Sequence, residues 1–275
     1  MQLMHVRIDE LTRVEARNHL EIPQVIFTPN PEMLLEARKN KAFKEALKKG
    51  TLMLPDGHGL QLVSTLKQVR SKFLRALLIL PAMILFLFWK KPFKRVFPEI
   101  IHGSDFMLEV IKWAEKNKKS IFFLGGRLGI AEKTADIFKK RFPALKIAGY
   151  SGEDPSEYAF ELVKQAKPEV LFVAYGAPKQ EMWIAQYAAR IPSLFHVMGV
   201  GGSFDFWSGE IKRAPSLLRK MGLEWLWRLS LQPLKRLRRI YNATLKFPLI
   251  SLFFDDGASL RLLLRKGRGI QGCFW

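Results

Sequence analysis

Short, mainly apolar runs alternate along this chain with longer stretches whose apolar residues recur at helical spacing. Runs at 24–27, 51–54, 121–124, 145–148, 170–175 and 195–200 read as buried strands, each closing in a turn of glycine, proline or polar residues. Between them, stretches at 32–49, 106–114, 130–138 and 156–165 read as helices packed by one face. The alternation predicts an α/β fold, a Rossmann-like doubly wound and mostly parallel sheet.

The stretch 120–142 is the most informative of these units. Its strand runs straight into Gly125, Gly126 and Gly129 and then into helical spacing. A glycine turn at a helix N-terminus leaves amide N–H groups with no side chain in front of them, which suits a phosphate. The plainer reading, that the glycines serve only the turn, stands beside it. A dinucleotide site fits less well: the spacing is GGxxG, and the next strand ends in Gly149-Tyr150 where a ribose-binding acid belongs.

Polar residues follow other strands too. Thr28 and Asn30 come after 24–27, Asp56 sits in Pro55-Asp56-Gly57 after 51–54, and Lys179 and Gln180 follow Gly176 after 170–175. Ligands of open α/β sheets bind at that edge, although the same residue types also shape turns and caps. His102 reads as a packed or turn histidine rather than a catalyst.

Charge changes the picture. The chain of 275 residues has a formal net charge of +20, and nearly all of it lies in two places. Residues 65–98 carry eight Lys or Arg and no acid, and residues 211–275 carry fourteen against three acids. Both are rich in Leu, Ile, Phe and Trp, a mixture that favours an anionic membrane surface over nucleic acid. The chain divides into a catalytic α/β unit at 1–210, with an apolar basic insert at 71–96, and a basic amphipathic appendage at 211–275. Within the insert, 77–89 is uncharged but shorter than the ~20 residues of a spanning helix, and Pro81 interrupts it. An interfacial or re-entrant anchor is expected there, with an ordinary buried helix as the alternative. The N-terminus has no secretion-signal pattern. The single cysteine, Cys273, forms no internal disulfide, and no metal-site spacing is present among the histidines.

Six motifs in order, TPNPE (28–32), PDGHG (55–59), GSD (103–105), LGGRLGIAEK, GAPKQE (176–181) and KRAP…LEWLWR, resemble the WecG/TagA/CpsF glycosyltransferase family over roughly residues 22–242. The resemblance implies inverting transfer of a sugar from a UDP-sugar to a polyprenyl-diphosphate-linked sugar. The best-known members use N-acetylmannosamine or its uronic acid as donor sugar and GlcNAc-diphospho-undecaprenol as acceptor. It also implies a peripheral enzyme on the cytoplasmic face of the membrane, and leaves homo-oligomer formation open. By motif, Asp56 is similar to the family's proposed general base, and Thr28, Asn30 and Gln180 to its sugar- and nucleotide-facing residues. Asp105 of GSD, Gly125, Gly126, Gly129, Gly176 and Lys179 fall in the substrate-binding motifs. Arg228 matches the arginine of LEWLWR, and Arg236 and Arg239 resemble further arginines of the appendage. The insert separates PDGHG from GSD more widely than the family pattern does.

Sugar transfer from UDP needs a base for the acceptor proton and positive charge for the departing diphosphate. The chain contains no DxD sequence, so arginines are expected to replace a metal, and no cofactor is expected. A nucleotide-dependent reductase and a basic membrane- or RNA-binding module are the rival classes.

Overall fold

A computed structural model describes residues 1–89, 91–210, 215, 237 and 241–253. Its centre is a six-stranded sheet in the order β4-β3-β8-β7-β5-β6. The strands are β3 (Gln24–Phe27), β4 (Leu52–Met53), β5 (Ser120–Gly125), β6 (Lys146–Ser151), β7 (Val170–Ala174) and β8 (His196–Gly199), and every neighbouring pair is parallel. Their C-terminal ends therefore share one edge. Ahead of them, β1 (Gln2–Leu3) and β2 (Val6–Arg7) form a small antiparallel pair, and helix α1 (Arg13–Asn18) starts on a Thr12–Glu15 capping box.

Side chains alternate across the sheet, as the pleat requires. Phe122, Leu124, Leu171 and Val173 face one core, shared with helices α2 (Pro31–Lys39), α3 (Lys41–Leu47), α4 (Gly59–Lys67), α8 (Glu157–Ala166) and α9 (Lys179–Tyr187). Ile121, Phe123, Val170 and Phe172 face the other, shared with α1, α6 (Gly103–Lys116), α7 (Ile130–Arg141) and α10 (Ser203–Trp207). Burial on both faces explains the unbroken apolar runs. Strand β3 leads into α2 on one face and its neighbour β8 into α10 on the other. Their ends diverge there, the arrangement that opens a crevice in such sheets.

Three expectations need correction. The helix predicted over 32–49 is two helices. Asn40 ends α2 and caps α3, its Oδ1 accepting from Phe43 N at 3.0 Å. Strand β6 does not stop at Ala148 but runs to Ser151, because a bulge opposite Ile121 and Phe122 brings Gly149 against the Phe122 ring. A Cβ on Gly149 would lie 2.7 Å from that ring, so only glycine lets the strand continue.

The insert is the third. It forms one continuous helix, α5 (Lys72–Phe88), with Pro81 inside it. Ile79 and Phe86 enter the core, whereas Phe73, Leu74, Leu77, Leu78, Leu80, Ile84 and Leu85 are exposed. It is thus neither an ordinary buried helix nor polar on its outer side. Arg75, read from sequence as part of the basic surface patch, is buried instead. Its guanidinium donates to the carbonyls of Val69 (2.7 Å), Lys67 (3.3 Å) and Leu252 (3.1 Å). Those carbonyls lie at or just past the end of α4 and in the last described helix, α11 (Phe247–Phe253), whose Phe247 and Leu252 lie in the core. Among the described residues no helix is long and apolar enough to cross a membrane.

Candidate active site

Backbone hydrogen bonds join the loops at one end of the shared edge. After β3, the carbonyl of Pro29 accepts from Asp56 N (3.0 Å), and the carbonyl of Pro55 accepts from Ile101 N (2.9 Å). These bonds bring Thr28, Asn30, Asp56 and the start of α6 together. Thr28 packs so closely on Gly103 that a Cβ there would sit 3.0 Å from its hydroxyl. Asn30 caps α2, its Oδ1 accepting from Glu32 N (3.0 Å) and Met33 N (3.1 Å). Asp105 lies in the first turn of α6.

Asp56 has a partner that sequence reading missed. His102 Nδ1 lies 2.8 Å from Asp56 Oδ1, with the two side chains 40% and 28% exposed, so the pair is supported yet reachable from solvent. The two residues stand 46 apart with α5 between them, and nothing local in the sequence announces the contact. His58 stands edge-on to His102 at 6.3 Å between ring centroids, and Phe86 of α5 packs on its other side at 6.2 Å.

Further along the edge, the ends of β5, β7 and β8 surround a cleft of about 340 Å³. Gly126, Gly176 and Lys179 line it, together with Arg127, Tyr175, Gly201 and Asp205. The glycine turn contributes unequally. Gly125 (φ +91) lies under the Tyr175 ring, where a Cβ would come within 2.7 Å, whereas Gly129 is exposed at the cap of α7 and does not line the cleft. Gly126 N donates to Ala174 O (3.2 Å) and Ile130 N to Arg127 O (2.9 Å), so two amides of the turn serve the fold itself. Arg127 reaches Asp205 across the mouth at 3.5 Å.

Gln180 lies behind the cleft wall rather than in it. The buried side chain accepts from Gly176 N (3.1 Å) and Gly201 N (2.9 Å), tying the loop after β7 to the loop after β8. Its Nε2 donates to Glu181 Oε1 at 2.7 Å. Glu181 is 1% exposed, its other oxygen has no hydrogen-bond partner, and burial pushes its pKa up to about 7. Burial likewise raises the Tyr175 phenol, whose hydroxyl lacks a protein partner.

The two halves of the edge are linked through α10. Trp207 Nε1 donates to Ser104 O (3.2 Å), next to His102 and Gly103, while Phe204 and Asp205 of the same helix line the cleft. A second depression, of about 230 Å³, lies by Gly50 and the β1–β2 pair and shares no lining residue with the cleft. Arg228, Arg236 and Arg239 lie outside the described residues. The described C-terminal segment nevertheless reaches this edge: a Cβ on Gly59, three residues after Asp56, would meet the carbonyl oxygen of Ala243 at 3.2 Å. Among the described residues no group of three or more His, Cys, Asp or Glu is placed to hold a metal ion.

Comparison with known proteins identifies the family. The profile of the Glycosyl transferase WecG/TagA/CpsF family matches residues 1–74 and 67–254, two pieces that meet where α5 begins. The N-acetylglucosaminyldiphosphoundecaprenol N-acetyl-beta-D-mannosaminyltransferase of Bacillus spizizenii strain W23 is 33% identical over 222 residues, covering 79% of this chain and 74% of that protein. The protein of that name from Bacillus subtilis strain 168 is 32% identical over 216 residues, 78% and 73% of the two chains. Another, from Staphylococcus aureus strain MW2, is 30% identical over 217 residues, 78% and 74%.

Proposed function

The chain belongs to the WecG/TagA/CpsF glycosyltransferase family, and from that premise we propose that it moves N-acetylmannosamine, or its uronic acid, from a UDP-sugar to a polyprenyl-diphosphate-linked GlcNAc. The observation that carries this reading is the single edge on which Asp56 and the glycine-walled cleft both open. The acceptor hydroxyl gives its proton to Asp56 as its oxygen bonds the anomeric carbon. The bond from that carbon to the diphosphate breaks with its electron pair, and UDP leaves. Attack opposite the leaving group inverts the anomeric centre.

The donor diphosphate is assigned to the cleft beside Gly126, Gly176 and Gly201, with the Lys179 ammonium at its rim. Arg228, Arg236 and Arg239 are assigned to the leaving diphosphate or that of the lipid. Ala243 next to the Asp56 turn supports this, since Arg236 and Arg239 precede it by a few residues. The outer apolar row of α5 is assigned to the cytoplasmic face of an anionic membrane. Its lack of polar residues and the cations at 67, 70, 72, 91, 94 and 95 around it support that assignment.

The test is to offer the purified protein a panel of UDP-sugars with a short-chain GlcNAc-diphosphate lipid and to weigh the products. The expected result is a lipid heavier by one N-acetylhexosamine or its uronic acid. Transfer of another hexose places the chain elsewhere in the same family, and no transfer from any donor overturns the reading.

A further inference from the structure

The cap position of a helix usually holds Ser, Thr, Asp or Asn, whose side chain satisfies the first helical N–H groups. Helix α6 has His102 there, and the side chain makes no capping bond. Only the backbone serves the helix start, the His102 carbonyl accepting from Asp105 N (2.9 Å) and Phe106 N (3.0 Å). The imidazole reaches Asp56, whose loop is fixed against it by the Ile101 N to Pro55 O bond. An ionised carboxylate only accepts hydrogen bonds, so the ring nitrogen facing it carries the proton. The other titratable groups near the pair are His58, edge-on at 6.3 Å, and Asp105 in the first turn of α6.

We propose that His102 is a positioning residue for sugar transfer: its Nδ1–H holds one oxygen of Asp56, orients the carboxylate and leaves the second oxygen to receive the acceptor proton. This rests on the reading of Asp56 as the base. His102 keeps its own proton throughout, and the proton taken from the acceptor passes from Asp56 to solvent after UDP leaves.

His102→Ser separates this role from a structural one, because serine caps a helix well but is too short to reach Asp56. The variant is expected to melt no lower than the parent and to keep KM for the UDP-sugar. Its kcat should fall about 10–100-fold, the range for a hydrogen bond to a charged group, so the loss is in kcat and not in KM. Normalising kcat to the fraction of protein that binds the UDP-sugar keeps the reading valid even if less of the variant folds. His102→Gln, which can still donate, should recover part of the rate. Wild-type kcat in His102→Ser would overturn the proposal. Asp56→Asn is run beside it: if Asp56→Asn is inactive and His102→Ser is unchanged, only the positioning role fails. Full activity in Asp56→Asn removes the base assignment itself.

Discussion

Gln180 Nε2 donates to Glu181 Oε1 across 2.7 Å, and the two side chains form a buried unit beneath the cleft rather than part of its lining. The first holds two loops and the second is an acid in an apolar surround. Their consequences can be measured separately.

Gln180→Ala removes the acceptor of Gly176 N and Gly201 N. Both donors are only part-buried at the cleft wall, so each lost bond costs about 0.5–1.5 kcal/mol and the variant should lose roughly 1–3 kcal/mol in urea unfolding. KM for the UDP-sugar should rise, because the loops after β7 and β8 are no longer joined. A change below about 0.5 kcal/mol, the scatter of ordinary surface substitutions, would mean that the clip is unimportant.

Glu181 makes stability fall as pH rises. Its folded pKa, about 7, lies above the ordinary 4.5. Between those values the unfolded chain has released a proton that the folded chain still holds, so rising pH favours unfolding. Glu181→Gln lacks this term. Its urea midpoint relative to the parent should climb from pH 4.5 to pH 7 and then level off. A difference that stays constant with pH would refute the assignment.

His196 acts in the opposite sense. Desolvation between Trp113 and Phe195 lowers its pKa from 6.5 to about 4, and its Nε2 bonds the Leu20 carbonyl at 3.1 Å. Its contribution is complete above pH 6.5 and is lost as pH falls toward 4, where the unfolded chain takes up a proton that the folded chain refuses. His196→Phe should be less stable at neutral pH and approach the parent as the pH drops through that window. Parallel thermal-melting curves for the two proteins would contradict this.

For chemistry, Asp56→Asn keeps shape and removes the base. A general base contributes ~10²–10⁴ in rate, so single-turnover transfer should slow by that range, with donor binding retained. Unreduced turnover would reassign the residue.

Replacing Leu77, Leu80 and Ile84 on the outer side of α5 with asparagine should leave the melting temperature within a few degrees, since all three are exposed. Each apolar side chain gains about 1.5–3 kcal/mol on leaving water. Flotation with anionic vesicles should therefore drop at least tenfold. Equal flotation of variant and parent would exclude α5 as the contact.

Much of the scaffold could be read because burial on both faces of the sheet leaves an unmistakable mark: β7 and residues 121–124 of β5 are unbroken apolar runs bounded by turns. The glycine turn likewise announced that β5 ends at a cleft. The break at Asn40 was hidden because an asparagine amid helical spacing does not by itself end a helix, and it does so here by capping the next one. The course of β6 was hidden because Gly149 looks like a stop until the Phe122 ring opposite it is known. The Asp56–His102 pair, the deep seat of Gln180 and the burial of Arg75 depend on residues far apart in the chain, which periodicity does not report.

The buried guanidinium of Arg75 joins carbonyl ends from two helices to a third, and Phe86 at the far end of that third helix rests on the ring beside His102. Helix α5 is therefore braced at both ends, like a beam set into masonry. Any shift of the helix would thus disturb both the C-terminal segment and the ring next to the Asp56–His102 pair.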